Sequence, residues 1–171
     1  MSNDIIRKVK EALVKAGSSF TKDQMNRYVC AIGNETNKQA QWVLSQTLEN
    51  AKVACQRCSP LCDDTGIPHL YLEVGPNQVV TGQLIEDIKE GVRQGLRELP
   101  GRPMAVKGDD IQRIEQSEGL YEDSAALEAA PIVIRNIEED ELRLTVLKLG
   151  GGPAIRGITQ SVFNKDSIQV V

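Results

Sequence analysis

The hydrophobic period of this chain first changes across residues 55–67, where a run of helical segments gives way to strands with an inserted helix, and that change limits the fold more than any other feature. Before it, apolar residues recur at helical spacing: Ile5, Ile6, Val9, Ala12 and Leu13, then Met25, Tyr28 and Val29, then Ala40, Val43, Leu44, Leu48 and Ala51. The pattern predicts amphipathic helices over most of 3–15, 22–32 and 36–54. Thr21 is placed to cap the second, and Asn34 or Thr36 to open the third. Met25, Tyr28, Cys30 and the single Trp42 are expected in the core. After the change, Leu70, Leu72 and Val74 alternate with Tyr71 and Glu73, a strand near 69–74 closed by Gly75-Pro76. Leu84, Ile85, Ile88, Val92 and Leu96 then predict a helix over 82–98, stopped by Leu99-Pro100-Gly101. Met104-Ala105-Val106 reads as a short strand, and 108–130 has no readable pattern.

Two further strands are expected near 131–137 and 141–149. The first is nearly all apolar and reads as central. Only Glu138-Glu139-Asp140 separates them, so an antiparallel hairpin is expected. Helices first, then strands with an inserted helix, give an α+β class. The expectation is N-terminal helices packed on a small mixed or antiparallel sheet, in a single domain over 1–171. That length buries roughly 70% of the unfolded surface, enough to fold without a disulfide or metal.

Charge and composition narrow the function. Twenty Lys and Arg against 24 Asp and Glu leave a net charge of −4, and aromatics are 4% of the chain. There is no basic excess to release counterions and little to stack on bases, which argues against nucleic acid. No apolar run approaches the ~20 residues that span a bilayer. The opening Met1-Ser2-Asn3-Asp4-Ile5-Ile6-Arg7 lacks a basic stretch followed by an apolar one, so a cytoplasmic location is expected. Its four cysteines are then reduced, metal-bound or catalytic.

Three of them share one segment, Cys55-x2-Cys58-x3-Cys62. Thiolates at such spacing serve iron–sulfur or zinc sites, and buried cysteines also serve as small hydrophobes. Both readings stand from spacing alone. The surrounding residues add more. Ser59-Pro60-Leu61-Cys62-Asp63-Asp64-Thr65-Gly66, followed by a short strand ending at Gly75, resembles the cluster loop of the iron–sulfur hydro-lyases. These are the class I fumarases and the alpha subunit of L(+)-tartrate dehydratase. Further features match in order: the helical lead-in, Arg102-Pro103-Met104-Ala105-Val106 after the next helix, and Leu142–Leu149 running into Gly150-Gly151-Gly152.

The resemblance implies an N-terminal portion of such an enzyme, which reversibly hydrates or dehydrates a small dicarboxylate. It implies Cys62 as a ligand of a [4Fe–4S] cluster with one open iron, and Asp64 as a catalytic residue beside the substrate. It implies Arg102, Thr65, Gly151 and Gly152 as substrate-binding residues, Arg102 clamping a carboxylate. The cluster would be shared with residues outside this chain, on a partner subunit or a missing C-terminal half, and a homo-oligomer is compatible with this. The chain alone is expected to be inactive. Departures from the family pattern are Asp63 in place of Gln, Pro153 after the glycines, a divergent Gln116–Ala130, and no cysteine after Cys62.

Plainer readings accompany each residue. Asp64 alone makes an Asx-turn, Arg102 pairs with Asp109 or Asp110, the glycines form a strand exit, and His69 is locally satisfied. Two other function classes remain: a non-catalytic relative that binds a partner, and a small metal module using Cys55, Cys58 and Cys62 with Cys30 as a fourth thiolate.

Overall fold

The computed structural model describes residues 2–62, 64–99, 123–127 and 129–150. Helices α1 (Ser2–Ser18), α2 (Lys22–Asn34) and α3 (Lys38–Arg57) lead into strand β1 (Ile67–Val74). Helix α4 (Gly82–Glu98), a 3-10 turn at Ser124–Ala126, and strands β2 (Val133–Asn136) and β3 (Leu142–Leu149) follow. This is the expected α+β arrangement, with α1 and α4 packed on one face of a mixed sheet. The Met104–Val106 strand lies outside the described residues.

Local chemistry sets the helix ends. Thr21 Oγ1 accepts from Gln24 N–H, and Gln24 Oε1 accepts from Thr21 N–H, a reciprocal box that starts α2. The opening of α3 is neither Asn34 nor Thr36 but Asn37. Its side-chain oxygen accepts from both Gln39 and Ala40 N–H, whereas Asn34 still belongs to α2. Thr81 Oγ1 accepts from Leu84 N–H at the start of α4. Cys58 ends α3 in the left-handed region, φ 50°, a conformation uncommon for a non-glycine residue.

The core joins Val9 and Leu13 of α1, Leu70, Leu72 and Val74 of β1, and Ile88, Val92 and Leu96 of α4, with Leu127. A Cβ on Gly91 would lie 2.8 Å from Ile6 O, so glycine there lets the two helices approach backbone to backbone. The third helix departs from expectation. It buries Leu48, Ala51 and Ala54, but Trp42 is 63% exposed and Val43 49%. Cys30 is exposed, and α2 has no buried residue. Among the described elements α2 packs chiefly on α3, so its apolar stripe and that of the first half of α3 have too little surface to share.

The hairpin expected of the last two strands does not form. Sheet order is β2-β1-β3. β2 runs parallel to β1, with Tyr71 opposite Val133, and β3 runs antiparallel to it, with Tyr71 opposite Thr145. The central strand is therefore β1, and β2, expected at the centre, is an exposed edge. The connector between β2 and β3 crosses the end of β1 instead of turning back. Gly75 N–H donates to Glu141 O at 2.9 Å, and a Cβ on Gly75 would strike Glu139 O. Asp140 closes the crossing by accepting from Asn77 N–H and from the Asn77 and Gln78 amides. The short acidic spacer fits a crossing as well as a turn, and Gly75 decides between them.

Candidate functional site

The segment after α3 is fixed from both sides. Leu61 N–H donates to Gly17 O at the end of α1 (2.9 Å), and Leu61 O accepts from Asn50 Nδ2 of α3 (2.8 Å). This places Cys62 at the surface, its thiol directed to Asp64 O at 3.3 Å. Asp64 Oδ1 accepts from Gly66 N–H at 3.3 Å, the geometry of an Asx-turn. Thr65 is buried, 8% exposed. Gly66 has φ +78° and sits against the end of β3, where a Cβ would lie 2.8 Å from Leu149 O. Only glycine suits that conformation and that gap.

The exit of β3 meets this loop. A Cβ on Gly150 would lie 2.6 Å from Asp64 Oδ2, so the carboxylate occupies the space that the missing side chain leaves. Residues far apart in sequence, Cys62 to Gly66 and Leu149 to Gly150, thus share one corner at the end of the sheet. Arg102, Gly151 and Gly152, the other candidates, lie outside the described residues, as does Asp63.

One residue of this corner escaped the sequence reading. Lys148 stands opposite Pro68, on the face of β3 that carries Leu144 and Val146 toward the helices. Its alternation with Leu142, Leu144 and Val146 was the available signal: a lysine in phase with core residues. Its stem reaches Gly17 of α1, where a Cβ would lie 3.4 Å from Lys148 Cδ. Burial pushes its ammonium down to about 8, and the Asp64 carboxylate acts in the opposite sense.

Among the described residues, no three His, Cys, Asp or Glu side chains group closely enough to hold an ion. Cys55 and Cys58 are exposed, which also removes their reading as buried small hydrophobes. The donor chemistry that remains is one surface thiol, Cys62, beside a carboxylate. A single soft ligand fits a cluster only when other ligands come from elsewhere. A cavity of about 450 Å³ between α4, β1, the 3-10 turn and the segment 129–132 is lined by Leu70, Val92, Leu127 and Ile132 among others, and by none of the described corner residues. No described helix is long and apolar enough to cross a membrane.

Comparison with known proteins bears on this corner. A family model described as "Fumarate hydratase (Fumerase)" matches residues 6–171. A protein of Methanocaldococcus jannaschii with the provisional name L(+)-tartrate dehydratase subunit alpha is 30% identical over 132 residues, covering 76% of this chain and 46% of that protein. A provisionally named class I fumarate hydratase of Geobacillus stearothermophilus is 27% identical over 156 residues, covering 89% of this chain and 28% of that protein. The chain therefore spans less than half the length of either relative.

Proposed function

The chain belongs to the family of class I fumarate hydratases and tartrate dehydratase alpha subunits, and from that premise we propose that it forms the cluster-loop part of a hydro-lyase acting on a small dicarboxylate. The observation that carries the reading is the meeting of the Cys62–Gly66 loop with Gly150, first of the three glycines. Cys62 contributes one thiolate to a [4Fe–4S] cluster completed by a partner subunit or by a further stretch of polypeptide, in the cytoplasm. When bound, the cluster supplies a Lewis-acidic iron that makes hydroxide a tolerable leaving group.

The chain's own residues then do the following work. Gly66 N–H and the space above Gly150 hold the Asp64 carboxylate in one orientation, as a proton-transfer group must be held. Thr65, next in sequence, offers a hydroxyl, and Arg102 a guanidinium fork matched to a substrate carboxylate. Gly151 and Gly152 offer backbone N–H groups without a side chain in the way.

The test is anaerobic reconstitution with iron and sulfide, alone and with a candidate complementing subunit. The readouts are metal content and the hydration of fumarate or dehydration of malate and tartrate. The isolated chain is expected to show no turnover, and the complemented one to load a cluster and turn over. Cys62→Ser is expected to abolish both. Full cluster content and activity in that variant would overturn the assignment. A second reading, a non-catalytic relative that binds a partner, draws support from the exposed Trp42 and Val43, and it is the outcome if no complement loads a cluster.

A further inference from the structure

Among the described residues, Lys148 Nζ is the buried side-chain polar atom that lacks a hydrogen-bond partner. An ammonium carries three donors, and leaving all of them unmet away from water opposes folding. The fold has no evident need of it. On the same face of β3, Leu144 and Val146 pack against the core, and an apolar side chain at 148 would extend that layer. A costly group kept where packing does not ask for it points to function.

Its surroundings indicate which function. The stem lies against Gly17 at the carboxyl end of α1, where helix carbonyls favour a cation. The carboxylate acting on it is Asp64, which rests on Gly150, two residues further along. The Asp64 carboxylate stands beside the Cys62 thiol, so an anionic ligand that approaches this corner meets a like charge. A cation shielded from water acts across several ångströms without contact, because little solvent screens it.

We propose that Lys148 is a positioning residue for anions: its buried ammonium offsets the Asp64 carboxylate beside Cys62 and makes that corner accept a carboxylate ligand. It acts through the local potential, not by touching the ligand. The class of anion rests on the hydro-lyase reading; the potential itself does not.

The test reads that potential with two alkylating reagents of different charge. The whole reduced chain, free of metal, is treated with iodoacetate and with iodoacetamide, and the rate at each cysteine is followed by peptide mass mapping. Both reagents attack the same thiolate, so their rate ratio at Cys62 reports how the site treats an anion. Lys148→Met and Lys148→Gln are expected to lower that ratio about threefold, Lys148→Arg to retain it, and the exposed Cys30 on α2 to show no change. The Met variant should melt no lower than the parent. An unchanged ratio at Cys62, or an equal fall at Cys30, would overturn the proposal. So would failure of both neutral variants to fold while the Arg variant folds, since Lys148 would then be structural. Loss of cluster assembly in the reconstitution would sink the hydro-lyase reading and leave this ratio intact; a flat ratio would do the reverse.

Discussion

Helices α1 and α2 begin from similar sequence patterns and end in different places. Both are amphipathic, and both carry an apolar stripe at helical spacing. α1 buries Val9 and Leu13 in the core shared with β1 and α4, and Val14 as well. α2 buries nothing, and leaves Val29 59% exposed. What separates them is the neighbour. α4 brings Gly91 and Gly95 to α1, and these admit its side chains at close range. α3 offers α2 one flank only. A stripe in the sequence shows that a helix has a face to cover, and it does not show what covers it.

The largest effect expected from this contrast is a truncation in the buried helix. Leu13 has no exposed surface, so Leu13→Ala should destabilise by about 3 kcal/mol. Val29→Ala in α2 should stay within about 0.5 kcal/mol. Urea titration of both variants measures the difference. Equal losses would mean that α2 is covered in solution, and the contrast would dissolve.

A smaller effect sharpens the buried side of the comparison. The Lys148 ammonium is held down to about 8 by burial, from an ordinary value of 10.5. The unfolded chain therefore binds more protons between those values, and stability should rise as pH increases from about 8 to about 10.5. Below pH 8 both states are protonated and the contribution is flat. The rise should be on the order of 1–3 kcal/mol. It should be missing from Lys148→Met, and melting curves of the two proteins over that range decide the matter. Parallel curves would show that the lysine is solvated.

The smallest effect belongs to the exposed helix. Without burial, α2 leans on its Thr21–Gln24 box, so Thr21→Ala should cost about 1 kcal/mol. Hydrogen exchange should show the loss as faster opening of the amides at the start of α2, with those of α4 unchanged. Uniform acceleration across both helices would tie α2 into the core after all.

The same contrast explains what was legible in the sequence. Periodicity located all four helices and β1, and correctly named Ile88, Val92 and Leu96 of α4 as inward, because α1, α4 and β1 each bury a full face. It misplaced Trp42 and Cys30, whose helices α3 and α2 pack on each other without burying either residue. It located β2 and β3 as strands but misjudged their pairing, because strand partners depend on crossings that local spacing does not encode. At the corner, the Cys62–Gly66 motif was readable as a string. The seating of Asp64 on Gly150 was not, since two loops far apart in sequence create it. Lys148 was overlooked because a charged residue in phase with core positions looks like an interruption of the pattern.

The crossing at Gly75 bears on how the sheet is assembled. Strands β2 and β3 are neighbours in the chain but never touch as partners, since β1 stands between them. The cheapest event in forming a sheet, the zipping of a local hairpin in microseconds, is therefore closed to this one. Each pairing instead waits for a long loop to close, as with Tyr71 meeting Thr145. The helices can form early on local contacts, while β1 stays a template with both edges open until the later residues arrive. An open-edged strand is also where chains join one another wrongly, so the interval before β3 docks is when this sequence is most exposed to aggregation during synthesis.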